Sequence, residues 1–261
     1  MSDPIVSIIV VSFNQGSKTV KCFQSIKKHC HIPFEVLWVD NRSSPGEFNY
    51  MMKNMPLDKE TFKLIRLDGN KGFVLGVNAA ISSIHPNSGY VILLNNDTEI
   101  GPRTFEKLIK PFKNPEVGIT SCVTQSKISW QEAGNLNRRW KSLKLPAFKG
   151  TIEDYTKSLE KQYSEKCIDI KNTNFAFFCA AFPRTVFVDV LKGLDTDFEI
   201  GLGEDDYACH KLRHLGYKFY LVLDAFVFHH HRTTFKALSI NIDNLRRKNV
   251  TTLRRKIKEL K

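Results

Sequence analysis

The sequence predicts an α/β fold: a mostly parallel sheet with helices on both faces. Three observations predict it. Ile5 to Val11 and Tyr90 to Leu94 are continuous apolar runs, as expected of strands buried on both faces. Segments with helical spacing separate such runs at short intervals, the pattern of a sheet built from βα units. Several runs also stop abruptly on polar clusters, at the strand edge where open α/β sheets bind ligands.

The elements follow in order. Ser12-Phe13-Asn14-Gln15-Gly16 breaks the first strand, and a helix is expected from about Lys18 to Lys28. Phe34 to Val39 is a second strand, closed by the loop Asp40-Asn41-Arg42-Ser43-Ser44-Pro45-Gly46. Lys63 to Leu67 is a short third strand, and the turn Asp68-Gly69-Asn70-Lys71-Gly72 leads into a helix from Phe73 to Ile84. After Tyr90 to Leu94 come a helix near Arg103 to Phe112 and a strand from Val117 to Val123. Ser126 to Lys171 is polar and without clear periodicity, so a variable insertion or loop region is expected there, anchored by Trp130, Trp140 and Phe148. Strand character resumes at Phe175 to Phe182, followed by helices over Arg184 to Leu191 and Asp205 to Leu215. Two further strands are expected, Lys218 to Leu223 and Ala225 to Phe228.

A chain of 261 residues, 42% hydrophobic, can bury one substantial core. No apolar run approaches the roughly 20 residues that cross a bilayer, and Met1-Ser2-Asp3-Pro4 carries no signal-peptide pattern. Cys22, Cys30, Cys122, Cys167, Cys179 and Cys209 are scattered without a C-x-x-C pair, which suits reduced thiols in the cytoplasm and argues against zinc. The net charge of +12 fits nucleic acid, anionic lipid or plain solubility. No nucleic-acid recognition signature accompanies it, so nucleic acid is not an expected partner.

The charge concentrates at one end. Residues 244–261 hold eight Arg or Lys against Glu259 alone, with Leu245, Val250, Leu253, Ile257 and Leu260 at near-helical spacing. This reads as a basic amphipathic helix, suited to the inner face of an anionic membrane, to a partner, or to packing on the body of the protein. The expected division is therefore one α/β domain over 1–243 and this helix over 244–261.

Four clusters carry chemistry. Tyr90 to Leu94 ends on Asn95-Asn96-Asp97-Thr98, where a carboxylate without an adjacent base suits a divalent cation on a diphosphate. The plainer alternative is a turn with a helix cap. Asp40 closes its strand in the same way, placed to accept from a ribose hydroxyl or a base N–H. Gly69-Asn70-Lys71-Gly72-Phe73 opens the helix carrying Asn78, where glycines let backbone amides approach an anion. In Gly201-Leu202-Gly203-Glu204-Asp205-Asp206-Tyr207, three clustered acids raise the proton affinity of one of them and suit it to general-base work. Finally, Phe226-Val227-Phe228 ends in His229-His230-His231, and strand alternation sends His229 and His231 to one face and His230 to the other.

Taken in chain order, these motifs resemble the family 2 glycosyltransferases of the GT-A fold, in particular the rhamnosyltransferase-like branch that builds surface polysaccharides. The resemblance spans about Val6 to Thr234. Val6 to Asn14 resembles that family's first strand and nucleotide loop, Val39 to Ser44 its base-binding segment, and Asn70-Lys71-Gly72-Phe73 with Asn78 the helix motif that follows. Leu94 to Thr98 resembles a variant D-x-D metal motif with Asn95 in place of the first Asp. Glu204-Asp205, with Cys209, Leu212, Arg213 and Gly216-Tyr217, resembles the E-D motif and its helix, with Tyr207 where some relatives carry another Asp.

The resemblance implies an inverting, Mn²⁺- or Mg²⁺-dependent transfer from a UDP-, dTDP- or GDP-sugar to a glycan or lipid-linked acceptor. It implies donor contacts from Ser12, Asn14, Asp40, Asn41, Asn70, Gly72, Phe73, Asn78, Asn95 and Asn96. Asp97 would hold the metal, with His229 or His231 approaching it. Asp205 would be the base, with Asp206 as a competitor, and Glu204 would orient the site. Phe175 to Phe182, with Cys179 and Ala180, would border the sugar or acceptor pocket. A sugar-nucleotide nucleotidyltransferase is the alternative enzyme, but its Gly-rich basic loop is poorly matched by Ser12 to Lys18. A non-catalytic nucleotide-sugar or glycan-binding protein is the other alternative.

Overall fold

The computed structural model describes residues 5–56, 61–127, 129–198, 200–230 and 242–260. Its centre is a sheet of nine strands. Four form its first half in the order β3 (Phe62–Arg66), β2 (Phe34–Asp40), β1 (Ile5–Ser12), β4 (Ser88–Asn95), all parallel. Next comes β8 (Cys179–Pro183), antiparallel to β4 on one side and to β6 (Val117–Thr124) on the other. Then β9 (Lys218–His229) runs parallel to β6, with the short strands β5 (Thr98–Ile100) and β7 (Cys167–Asp169) both antiparallel along it. Six of the nine strands thus point one way, which agrees with the expected mostly parallel sheet.

Helices cover both faces because both faces of the central strands are apolar. Val6, Ile8 and Val10 of β1 pack with Val20, Phe23 and Ile26 of α1 (Gly16–His29). Ile9 packs on the opposite face with Val74 and Val77 of α3 (Gly72–Ala79). Burying each such side chain is worth about 1.5–3 kcal/mol relative to leaving it in water. The helix α3 lies unusually close to β1: a Cβ at Gly76 would fall 2.7 Å from Val11 Cγ1, so only glycine permits this approach.

The loop expected after Asp40 is shorter than its sequence suggests, because α2 (Pro45–Asn54) begins within it. Ser44 caps this helix by accepting from Glu47 N at 3.5 Å, and Glu47 Oε2 accepts from Gly16 N at 2.6 Å, tying α2 to the start of α1. The helix expected near Arg103 to Phe112 is α4 (Thr104–Ile109) with a tighter turn after it. The helix expected over Arg184 to Leu191 is a widened, π-type turn over Thr185–Leu191.

Residues 126–171, which lack a readable period, carry α5 (Ala133–Arg139), α6 (Ile152–Tyr163) and the strand β7. They are packed on the sheet. Phe148 stacks 5.5 Å from Phe226, and Trp130 stacks 5.7 Å from Phe175. The two strands expected at Lys218 to Leu223 and Ala225 to Phe228 are one. The register against β6 jumps from Cys122–Val222 to Val123–Phe226, and this irregularity absorbs Asp224 without ending the strand.

The last two helices are α7 (Glu204–His214) and α8 (Ile242–Glu259). The latter lies on the body of the protein, with Leu245 and Asn249 buried and Leu253 packed against the main core. Among the described residues, no helix is long and apolar enough to cross a membrane.

Candidate active site

The carboxyl ends of β1, β2 and β4 lie side by side, with Val11 opposite Asn95 and Ser12 opposite Asp40. There the strands stop pairing and their polar ends meet a cleft of about 680 Å³. Asn41, Asn70, Gly72 and Phe73 line it, as do Asn95, Asn96, Asp97 and His229. Glu204, Asp205 and Asp206 line the same cleft, together with Trp130, Phe177 and part of α8.

Asp97 and His229 meet because β5 pairs with the end of β9 and places Thr98 opposite His229. His229 Nε2 lies 3.1 Å from Asp97 Oδ1 and 3.5 Å from Asn95 Nδ2, while Phe178 stacks on the imidazole at 5.2 Å. Both side chains are 7% exposed. His230 turns away and meets Glu99 Oε1 at 2.6 Å, as strand alternation predicts. His231 lies outside the described residues.

A carboxylate oxygen and an imidazole nitrogen facing one cleft are a donor pair that suits Mn²⁺ or a similar divalent cation. Among the described residues no cluster of three or more His, Cys, Asp or Glu is arranged to hold an ion. Two protein donors leave coordination positions open for diphosphate oxygens and water, which is how such ions usually bind nucleotides. The donor set therefore fits a metal shared with a ligand.

The other expected donor residues divide into two groups. Asn41, Asn70, Gly72, Phe73, Asn95 and Asn96 reach the cleft. Asn41 bridges the two motifs, accepting from Lys71 N at 2.9 Å and donating to Gly72 O at 2.9 Å. Asn96 is secured by donation to Thr19 Oγ1 at 2.9 Å. Ser12, Asn14, Asp40 and Asn78 do not line the cleft. Ser12 accepts from Trp38 Nε1 at 2.8 Å, and Asn14 Oδ1 accepts from Ser44 N at 2.9 Å. Asp40 is fully buried, with Arg66 Nε 3.1 Å away and Ser43 N donating at 3.2 Å. Asn78 exchanges two 2.8 Å bonds with the Leu194 backbone, facing a separate, smaller cavity. Of the segment expected to border the pocket, Ala176, Phe177 and Phe178 do so, whereas Cys179 and Ala180 are buried in β8.

The three acids are not equivalent. Asp206 Oδ1 accepts from Asn174 Nδ2 at 2.7 Å, and Arg213 Nη1 in turn holds Asn174 Oδ1 at 2.7 Å. Asp205 accepts from Asp206 N at 2.8 Å and remains partly open to the cleft. Burial, and then the charge of Asp206, push its carboxyl well above the usual range. Glu204 is pushed up as well, by burial and then by Asp205, and its Oε2 has no hydrogen-bond partner. One partly open carboxyl held near neutrality is an arrangement that can accept a proton from a hydroxyl.

Sequence reasoning missed the part played by α8. Arg246, Asn249, Val250 and Leu253 line the same cleft, and Arg246 is the one arginine or lysine there among the described residues. The signal was available in the spacing: Leu245, Asn249 and Leu253 fall on one helical stripe, with a polar residue in its centre.

A cleft at the carboxyl edge of a mostly parallel sheet, lined by a carboxylate–imidazole pair and a carboxylate cluster, lies where open α/β sheets bind ligands. Residues 7–191 match the family described as Glycosyl transferase family 2, and the chain belongs to that family. Its fold is the GT-A fold, shared with several solved glycosyltransferases. A mannosyltransferase from Pyrobaculum calidifontis, solved with GDP-Man and Mn²⁺, matches at TM-score 0.62 and 18% identity over 89% of this chain and 59% of its own. GalNAc-T7, solved with UDP, GalNAc and Mn²⁺, matches at 0.65 and 15% identity over 88% of this chain and 44% of its own. S. aureus TarS 1-349, solved with UDP-GlcNAc, matches at 0.63 and 13% identity over 93% of this chain and 64% of its own. The chain thus spans less than two thirds of each of these structures. No curated protein sequence matches it.

Proposed function

We propose that this chain is an inverting glycosyltransferase that moves a sugar from a nucleoside diphosphate donor to a hydroxyl of a glycan or lipid-linked acceptor. The observation that carries this reading is the position of Asp205, open to the cleft that also holds Asp97 and His229, while Asp206 is tied to Asn174. The three solved structures named above, two with Mn²⁺ and each with a nucleotide, support the nucleotide-sugar donor.

In this reading Asn41, Asn70, Gly72 and Phe73 border the nucleotide, and Asn95 and Asn96 border the diphosphate. Asp97 and His229 would hold a divalent cation, which neutralises charge on the departing diphosphate. Asp205 takes the proton of the acceptor hydroxyl as the acceptor oxygen bonds to the anomeric carbon. The bond from that carbon to the phosphate oxygen breaks on the opposite face, and the nucleoside diphosphate leaves with the electron pair. Burial and the charge of Asp206 keep Asp205 basic enough for the task. Arg246 supplies the cleft's fixed positive charge.

A lipid-linked acceptor in surface polysaccharide synthesis fits the exposed basic residues Arg247, Arg254 and Lys258 of α8, which suit the inner face of an anionic membrane. α8 then belongs to the catalytic unit while one of its faces contacts lipid.

The test is a donor screen with Mn²⁺ or Mg²⁺ and UDP-, dTDP- and GDP-sugars, reading thermal stabilisation and slow release of nucleoside diphosphate. Stabilisation by one nucleotide class, abolished by Asp97→Ala, is the expected result. Stabilisation without any hydrolysis or transfer would favour a non-catalytic binding protein. Release of pyrophosphate from a nucleoside triphosphate and a sugar phosphate would favour a nucleotidyltransferase.

A further inference from the structure

The loop that carries the acids into the cleft has an unusual backbone. Gly201, Leu202 and Gly203 have φ of 126°, 72° and 128°, three successive residues in the region that side chains avoid. Glycine accommodates this at two of the positions. Leu202 does not, and a branched residue held at such a φ persists only where surrounding contacts fix it.

Those contacts come from two distant elements. On one side, Phe73 N of α3 donates to Ile200 O at 3.0 Å, tying the loop to the donor motif. On the other, Asn249 of α8 donates from one amide nitrogen to Gly201 O at 2.7 Å and to Leu202 O at 3.0 Å. Asn249 is 2% exposed, so its amide is committed to this loop rather than to water. The helix that presents it is secured in turn: Lys256 pairs with Asp195 at 2.7 Å and Asp197 at 2.9 Å, and Leu253 packs on the main core.

We propose that Asn249 is a positioning residue for the transfer reaction: its carboxamide clamps the carbonyls of Gly201 and Leu202 and so sets Asp205 against the reacting hydroxyl. Asn249 borders the cleft, but in this role it acts through the loop carbonyls rather than on the reacting groups. A polar side chain at the centre of an otherwise apolar helical stripe also fixes the register of α8, since a slide of the helix strands the amide in the core. The clamp rests on the transferase reading for its catalytic consequence, whereas its effect on the loop does not.

The test compares Asn249→Leu, similar in size but unable to donate, with Asn249→Gln, which keeps the donor. Three readouts are taken: kcat for donor turnover with Mn²⁺, the nucleoside diphosphate Kd, and hydrogen exchange of residues 201–207. In Asn249→Leu, kcat should fall tenfold or more while the Kd stays within twofold. Exchange in 201–207 should accelerate while β1 and β4 keep their protection. Asn249→Gln should recover much of the lost kcat and protection, and it carries the same readouts if the leucine variant does not fold. Unchanged exchange in 201–207, or a kcat loss matched by an equal loss of nucleotide affinity, would overturn the proposal. Exchange needs no donor, so a wild-type chain inactive with every nucleotide sugar would sink the transferase reading and leave the clamp to be judged by exchange alone.

Discussion

His229 Nε2 and Asp97 Oδ1 lie 3.1 Å apart, although 132 residues separate them in the chain. The pairing of β5 with β9 makes this possible, and the same short ladder sends His230 to Glu99 on the other face. Each imidazole therefore has its own carboxylate, and only the first pair opens on the cleft. His229→Ala and Asp97→Ala should each weaken metal-dependent nucleotide binding by at least the ~10–100-fold typical of losing even an outer-shell metal partner. His230→Ala should leave it within about threefold, a difference of less than ~1 kcal/mol. Titration of Mn²⁺ and nucleotide followed by calorimetry separates the three variants.

Asp205 and Asp206 are adjacent in sequence but differ in their partners. Asp205→Asn should lower turnover by ~10²–10⁴-fold, the usual contribution of a general base, with nucleotide binding retained. Asp206→Asn should cost far less, because its bond with Asn174 positions rather than reacts.

The pH profile distinguishes these roles further. Asp205 must be ionised to accept a proton, and its carboxyl is pushed up to about 7 by burial and by Asp206. Turnover should therefore rise with pH and level off above about 7. Removing the neighbouring charge in Asp206→Asn lowers the proton affinity of Asp205, so the rising limb should move to lower pH.

Glu204 carries a stability cost that depends on pH. Its carboxyl is raised to about 8 in the folded chain, against about 4.3 when unfolded. A raised value means the favourable contribution is full below the unfolded value and is lost as pH climbs through the folded one. Glu204→Gln should accordingly raise Tm by several degrees at pH 9, at ~2–4 °C per kcal/mol for a chain of this size. At pH 4 the two proteins should melt together. A differential scan at both pH values checks the sign.

Arg246 supplies the cleft's one guanidinium among the described residues and is exposed. Arg246→Ala should raise the donor KM by roughly 3–10-fold, with the effect shrinking above ~0.5 M salt as screening shortens to a few ångströms. Initial rates at two ionic strengths suffice.

The outward face of α8 can be tested without disturbing its inward one. Reversing Arg247, Arg254 and Lys258 to Glu should weaken binding to phosphatidylserine vesicles by about 100-fold or more, at ~1 kcal/mol for each basic residue near the surface. Turnover of a soluble donor should stay unchanged. Vesicle sedimentation that shows no difference would remove the membrane from the proposal.

The strand ends were legible because buried parallel strands are apolar throughout, so that Asp40, Asn95 and His229 stand out where each run stops. What stayed hidden had specific causes. The helix α2 was masked by Pro45 and Gly46, although Ser44 and Glu47 form a capping-box pattern that announces it. The helix α6 buries Tyr155, Thr156 and Leu159 among seven polar or charged neighbours, and its period emerges only once the polar Thr156 is counted as inward-facing. Asp224 looked like a strand break because a buried acid is uncommon, but Glu165 N donates to its carboxylate at 3.1 Å. The clamp by Asn249 depends on contacts between residues 47 or 48 positions apart, which no local spacing reports.

The reversed strand β8 has a consequence for how the chain is made. It occupies the place between β4 and β6, so the central sheet cannot close when β4 leaves the ribosome. Synthesis must continue past Pro183, which takes on the order of ten seconds at typical elongation rates. Throughout that interval the edge of β4, one of the most apolar strands, has no neighbour, and unpaired apolar edges recruit other chains. Slowing translation between Asn95 and Cys179 should lengthen this exposure and lower the soluble yield, whereas pauses after Pro183 should be harmless to it. The order of strands thus sets a schedule for biosynthesis as well as a geometry for the cleft.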